Sequence, residues 1–219
     1  MVNNNIENKL FNPQFPDLLI TGELYGKYKN EDWYHEIHSY IQNKYVHLEK
    51  RLLNSFNYVQ LDKDNGTTFS NEFSSILRDS GSVFSSLIDN IFRKVNPNIK
   101  KKLFFKDYRK FILNECPNFP FRTISIRMLF PFKLKPYEAF KDLNGIPKWW
   151  DSYNKIKHLD IEKRKEGNLK NTINAVGALA ILLGELTRIK DTALFSNIGM
   201  IFRPDKRDIQ PDRILFQDP

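Results

Sequence analysis

The spacing of apolar and polar positions along the chain predicts a mainly helical protein. Apolar residues recur every three or four positions over residues 31–54 and again over 69–94, which is the spacing of one buried helix face. A shorter basic helix is predicted over 105–115, and the period of two over 121–130 is typical of a strand. We therefore expect a helical bundle with a small β addition.

The most apolar run of the sequence lies late in the chain. Residues Ile173–Leu183 are apolar apart from Asn174, and Gly177 lets neighbouring elements approach closely. A helix that is apolar almost all round is normally the central buried helix of a bundle. The run is shorter than the roughly 18 to 20 apolar residues that a membrane span requires. We predict a central helix here and no membrane partner.

The two ends of the chain look different from its middle. Residues 1–30 are rich in Asn and Pro and predict an irregular arm, in which 18–26 forms a short strand or packs along the core. Residues 31–189 are predicted to form the helical domain. Residues 190–219 are charged and irregular and are expected to pack on that domain as a tail, with two short strands at 199–204 and 213–217.

Thr68 and Gly81 indicate where the second long helix begins and how it packs. Thr68 is the predicted N-cap, because it directly precedes the first apolar position of the helix. Gly81 lies in the middle of the helix, where glycine costs about 1 kcal/mol relative to alanine. A glycine at such a position usually marks close packing or the wall of a pocket.

Charge and cysteine content narrow the range of functions. The 219-residue chain carries a net charge of +8, which favours an anionic partner such as nucleic acid and equally fits an ordinary basic protein. Its one cysteine, Cys116, excludes an internal disulfide, suits a reducing compartment and is interpreted as a structural thiol. The first residues lack the basic and apolar regions of a secretory signal, so a cytoplasmic location is expected.

A cluster of polar residues lies about a dozen residues before the innermost helix. On a helix, Asn154 and His158 are four positions apart and lie on one face, with Lys157 beside them. An imidazole that titrates near neutrality suits proton transfer on a phosphodiester, while an amide and a cation hold phosphate oxygens. We therefore predict His158, Asn154 and Lys157 as catalytic residues, with no metal and no cofactor, because the attacking group can be the RNA's own 2′-hydroxyl while His158 moves the proton. Alternatively, Asn154 and His158 are a hydrogen-bonded pair that fixes the bend into the central helix.

Other polar residues are candidates for substrate binding. Arg78 and Asp79, in the middle of the second long helix, either face the polar cluster or pair with each other and with solvent. Acidic residues around the histidine are expected to form a solvated helix end, not a metal site. The predicted substrate-binding residues are Arg78, Asp79, Tyr153, Lys155 and Arg164.

A short helix with Asn154 and His158, followed by a long apolar helix, resembles the HEPN superfamily. The usual signature of that family is Arg, a polar residue, a few variable residues and then His. Residues 153–158 read Y-N-K-I-K-H, so Asn154 and His158 match the signature and Tyr153 stands at the position of the arginine. The resemblance implies a HEPN-like bundle and a metal-independent endoribonuclease from a bacterial toxin–antitoxin or phage-defence system. It also implies a homodimer in which two histidine motifs meet.

Two other hypotheses fit the same sequence. One is a non-catalytic HEPN-like module that binds RNA, a nucleotide or a partner protein through its basic face, which the tyrosine at position 153 favours. The other is a structural subunit of a larger assembly, with interfaces made by the Phe-rich surface and the tail. The sequence has no glycine-rich phosphate loop, G-x-S-x-G or H-E-x-x-H motif, so P-loop nucleotide hydrolysis, serine hydrolysis and zinc hydrolysis are disfavoured.

Overall fold

The computed structural model describes residues 23–126, 132–158, 161–187, 201–204 and 213–214. Helices dominate these ranges, so the prediction of a mainly helical chain is confirmed. They are α1 (Glu23–Tyr28), α2 (Tyr34–Ser55), α3 (Asn71–Val95), α4 (Phe105–Glu115), α5 (Lys148–Ile156) and α6 (Leu169–Glu185).

Helix α6 lies at the centre of the fold, as its sequence predicts. It packs against α2, α3 and α5, and 14 of its 17 residues are buried. Asn168 caps its start, because the side-chain Oδ1 accepts a hydrogen bond from the backbone N–H of Asn171 at 3.0 Å. The helix is therefore longer than the apolar run itself. No helix within the described ranges has both the length and the apolar character that crossing a membrane requires.

A four-stranded sheet packs on one side of α6. Its strands are β1 (Ile124–Ile126), β2 (Phe132–Leu134), β3 (Phe202–Pro204) and β4 (Arg213–Ile214), in the spatial order β3-β1-β2-β4. Strand β1 is antiparallel to β2 and β3, and β4 is parallel to β2. A Cβ at Gly177 would lie 3.1 to 3.5 Å from side chains of β1, β2 and β3, so the glycine permits this close approach.

The strand predictions are confirmed in part. Strand β1 falls within the strand expected at 121–130, whose residues 127–130 lie outside the described residues. Strands β3 and β4 fall within the two segments expected near the C-terminus. Both of these C-terminal strands join β1 and β2 in one sheet.

Helix α1 differs from the irregular arm or strand expected for this part of the chain. Leu24 is only 3% exposed, and the backbone N–H of Glu23 donates to Oε2 of Glu185 at 2.8 Å. The ring of Tyr25 packs edge-on against Tyr34, with 5.9 Å between the ring centroids. These long-range contacts stabilise a helical turn that residues 23–28 do not predict by themselves. Residues 1–22 lie outside the described residues.

The start of α3 also differs from the prediction. Ser70, not Thr68, is the N-cap, and its Oγ accepts a hydrogen bond from the backbone N–H of Phe73 at 3.0 Å. The carbonyl of Thr68 instead accepts a backbone bond from Leu169, because residues 66–70 run antiparallel to residues 167–170. This pairing places the starts of α3 and α6 side by side.

A buried carboxylate joins the sheet to α2. Glu49 is only 1% exposed, and its Oε1 accepts backbone hydrogen bonds from Ile201 at 2.9 Å and from Phe202 at 3.2 Å. The hydroxyl of Tyr45 donates to the same oxygen at 2.8 Å. A single side chain therefore binds the beginning of β3 to the helical part of the fold.

Candidate functional site

Two tryptophans fix α5, the helix that carries the predicted site. Trp149 is buried, and its Nε1 donates to the carbonyl of Pro136 at 2.9 Å. Trp150 stacks on Phe105 with 4.7 Å between the ring centroids, and both tryptophans contact Phe84 edge-on. The first turn of α5 is thus held in an aromatic core, while its C-terminal end lies at the surface.

The C-terminal end of α5 separates Asn154 from His158. The helix ends at Ile156, so His158 lies beyond it and the predicted i, i+4 pair on one helix face is wrong. No hydrogen bond joins the two residues, so the alternative of a hydrogen-bonded pair is wrong as well. His158 is exposed, and it makes no hydrogen bond, ion pair or ring contact within the part of the chain described here.

Asn154 instead holds the side chain of Lys157. Its Nδ2 donates to the carbonyl of Trp150 at 3.1 Å, and its Oδ1 accepts a hydrogen bond from Nζ of Lys157 at 2.8 Å. The Lys157 ammonium also lies 5.6 Å from the centroid of the Tyr153 ring, within the range of a cation–π contact. Tyr153, Asn154 and Lys157 therefore form one local unit in which an exposed ammonium is positioned.

Tyr153 is a packing residue between α5 and α3. A Cβ placed at Gly81 would lie closer to the Tyr153 ring than van der Waals contact allows. The prediction that Gly81 marks close packing is therefore confirmed, because the missing side chain makes room for this ring. At the position where the HEPN signature has arginine, this chain has a tyrosine whose ring packs against Gly81.

Replacing Gly81 by alanine is expected to lower the free energy of unfolding by about 1 to 2 kcal/mol, because the methyl group overpacks against Tyr153. At an open helix position the same change raises stability by up to about 1 kcal/mol. The control is a Tyr153→Ala background, in which Gly81→Ala should become stabilising. Urea denaturation of the four proteins measures both effects, and the same sign in both backgrounds would contradict the assigned contact.

Lys155 is paired with two carboxylates next to the predicted site. Its Nζ lies 2.8 Å from Oδ2 of Asp151 and 3.3 Å from Oε1 of Glu166. The hydrogen bond to Asp151, followed by that to Glu166, raises the pKa of Lys155. Lys148 adds a second cation, 3.4 Å from Glu166. The carboxylates beside the site are thus neutralised by Lys148 and Lys155.

A buried polar network that sequence reasoning missed connects α5 to α6. The hydroxyl of Ser152 donates to Oε2 of Glu166 at 2.6 Å, and Nδ2 of Asn171 donates to Ser152 Oγ and to the Glu166 carbonyl, each at 2.9 Å. Burial opposes ionisation of Glu166, but the Ser152 hydrogen bond and Lys148 leave its pKa below the usual value. The expectation of a solvated helix end is therefore wrong for Glu166. A polar residue, Asn171, at the start of a nearly apolar helix was the available signal.

Arg78 and Asp79 point in different directions. Asp79 pairs with Arg51 of α2 at 2.6 Å, so it does not face the polar cluster. Arg78 lies four positions after Ser74 and three before Gly81, the residues of α3 that meet Gly167 and Tyr153. It is half-buried on this side of α3, without a hydrogen bond or ion pair among the described residues. Of the two residues, only Arg78 is placed near the cluster.

The turn between α5 and α6 is exposed and basic. Residues 157–165 contain four lysine or arginine side chains against two carboxylates. Arg164 is exposed, and its guanidinium carbon lies 5.9 Å from the centroid of the Phe69 ring. We define the basic turn as the exposed residues Lys157, His158, Lys163, Arg164 and Lys165.

Cysteine and metal chemistry find no support at this site. Cys116 is buried, and desolvation raises the pKa of its thiol, which fits a structural role. Across the described ranges, no group of three or more His, Cys, Asp or Glu residues is arranged to hold a metal ion. The exposed side chains of the basic turn are cations and the His158 imidazole.

Comparisons with protein-family models, with curated proteins and with solved structures give no match to this chain. The resemblance to the HEPN superfamily therefore consists of Asn154, His158 and their position before the apolar helix α6. In this fold the two residues lie on either side of the end of α5.

Proposed function

We propose that this protein is a HEPN-like protein that binds RNA through the basic turn. The observation that carries the proposal is the arrangement of charge around α5. The side chains of the basic turn are exposed, whereas Asp151 and Glu166 beside them are paired with Lys148 and Lys155. Residues 157–165 carry four lysine or arginine side chains against two carboxylates, and this excess of positive charge is the electrostatic footprint of a polyanion-binding site.

Local geometry adds to this proposal. The hydrogen bond from Lys157 to Asn154 positions one ammonium at the end of α5, which lowers the entropy that a phosphate contact costs. Arg78 supplies a second cation on the adjacent side of α3. The packing of Tyr153 against Gly81 favours binding over catalysis, because the position of the family's phosphate-binding arginine serves a structural contact.

Removing two cations of the basic turn should weaken RNA binding in a salt-dependent way. For Lys163→Ala/Lys165→Ala, the slope of log affinity against log salt is expected to fall by about 0.7 for each phosphate that the variant no longer binds. Fluorescence anisotropy with a labelled single-stranded RNA, measured between low and physiological salt, gives this slope.

The matched control removes two exposed lysines elsewhere. Lys94 and Lys100 lie at and beyond the other end of α3, about 35 Å along the helix from its start. Lys94→Ala/Lys100→Ala should leave affinity and slope nearly unchanged. Equal weakening in the two double variants would mean that binding follows net charge alone and would contradict a site at the basic turn.

A second candidate is a metal-independent endoribonuclease, active as a homodimer in bacterial defence. One observation favours it: His158 is exposed and free of partners within the described ranges, next to the positioned ammonium of Lys157. An imidazole in this state can exchange a proton with an RNA hydroxyl while a cation neutralises the phosphate. A dimer would bring two such histidines together, as the HEPN resemblance implies.

A further inference from the structure

Phe69 is an exposed aromatic residue at the edge of the basic turn. Its side chain is 41% exposed, and it lies two residues before the first residue of α3. The guanidinium of Arg164 lies near its ring, with 5.9 Å between the guanidinium carbon and the ring centroid. A partly exposed aromatic ring with the Arg164 guanidinium beside it is thus presented to solvent.

The backbone around Phe69 is fixed from both sides. Phe69 forms a bridge with Asn168, and backbone hydrogen bonds of 3.3 Å from Ser70 to Gly167 and 2.9 Å from Leu169 to Thr68 flank it. A Cβ at Gly167 would overlap the side chain of Ser74, so the two segments are in close contact. The backbone that carries the ring is therefore held in one place relative to residues 167–169, which lowers the entropic cost of binding a ligand there.

We propose that Phe69 and Arg164 form a stacking site for an unpaired nucleobase, so that the ligand of the basic turn is single-stranded RNA. Bases stack on aromatic rings and on arginine guanidinium planes whatever their sequence, while neighbouring cations follow the phosphates. In a duplex the base faces are covered by their neighbours and cannot reach the ring. This inference rests on the proposed function, because it uses the same basic turn as the phosphate-binding surface.

The test separates base contacts from phosphate contacts. Anisotropy is measured for the full chain with a labelled oligouridine of about 12 residues, with a duplex of equal length and with an abasic oligoribonucleotide carrying the same phosphates. The wild type is expected to bind oligouridine at least about five-fold more tightly than the abasic strand. Phe69→Leu should lose this preference and keep the salt dependence, and Phe69→Tyr should retain the preference.

The matched control is Phe104→Leu. Phe104 is 57% exposed and has Nζ of Lys102 5.8 Å from its ring centroid, so it is a similar cation–aromatic pair at the start of α4. Its replacement should leave the preference for oligouridine unchanged. Circular dichroism melts of each variant verify that the fold is intact.

The outcomes distinguish the two proposals. If the wild type binds the abasic strand and oligouridine equally well, and only the lysine variants of the basic turn weaken binding, the stacking site is refuted and RNA binding stands. If Phe69→Leu and Phe104→Leu lose the preference for oligouridine equally, the stacking site is not at Phe69. If the wild type binds none of the three nucleic acids, the proposed function falls and the stacking site falls with it.

Discussion

For the endoribonuclease candidate, replacing His158 by alanine is expected to lower RNA cleavage in the presence of EDTA by at least about 100-fold. General acid–base catalysis by a positioned side chain contributes about 10² to 10⁴ in rate. His158 is the histidine of the polar cluster, and no partner within the described residues competes for its imidazole. The assay follows a labelled single-stranded RNA on denaturing gels, with wild type and variant purified in the same way.

The control for this prediction is His47→Ala. His47 is also an exposed histidine, but it lies on α2, so its removal should leave cleavage unchanged. Binding should change little in either variant, because each leaves the four lysine and arginine side chains of residues 157–165 in place. The cleavage test therefore separates the two candidate functions.

Each result of the cleavage assay has a definite meaning. Cleavage by the wild type and by His47→Ala, and none by His158→Ala, would establish a metal-independent ribonuclease. Absence of cleavage by the wild type, with salt-dependent binding intact, would reject the catalytic candidate and leave an RNA-binding protein. Equal cleavage by all three proteins would point to a contaminating nuclease and not to this site.

Replacing Glu49 by leucine is expected to lower the free energy of unfolding by about 3 kcal/mol. The change leaves the backbone N–H groups of Ile201 and Phe202 without their carboxylate acceptor. Each buried donor that is left without a partner costs about 1 to 3 kcal/mol, and part of the sum is offset because the variant no longer buries a charge. Urea denaturation followed by circular dichroism measures the effect.

The conservative variant Glu49→Gln tests the mechanism. Its amide oxygen can still accept the bonds made at Oε1, so less than half of the leucine effect is expected. Glu36→Leu, at an exposed position of α2, is the control for changing a glutamate on this helix and should alter stability by under about 0.5 kcal/mol. Equal destabilisation in the glutamine and leucine variants would contradict the role given to the acceptor oxygen.

Elements whose stability is local were predictable from the sequence. Helix α4 has the bounds that the sequence predicts, and α6 is the central helix expected from its apolar run. The start of α3 was misplaced because the choice between Thr68 and Ser70 depends on backbone pairing with residues 167–170, about 100 positions away. Helix α1 was missed for the same reason, since contacts with Glu185 and Tyr34 hold it.

The predictions for the candidate site divide in the same way, between features set by nearby residues and features set by long-range contacts. Sequence reasoning named Lys157 and Arg164 as candidate residues and Gly81 as a packing position, because charge and a mid-helix glycine are readable from residues alone. It placed His158 on the helix face with Asn154, which required α5 to continue beyond Ile156. It treated Lys155 as a phosphate ligand, although Glu166 and Asp151 occupy it. Which cation is free and which is paired follows from long-range packing, and spacing along the chain does not encode it.

The backbone pairing between residues 66–70 and 167–170 also has a consequence for the order of folding. The hydroxyl of Thr172 donates to the carbonyl of Phe73 across 99 positions of the chain, so the starts of α3 and α6 meet only after a long loop has closed. Contacts of such high sequence separation form slowly compared with the helices themselves. Phe69 and Arg164 therefore come together only when the whole central bundle has assembled. A nascent or truncated chain would carry the charges of the basic turn without the Phe69 ring in place beside Arg164.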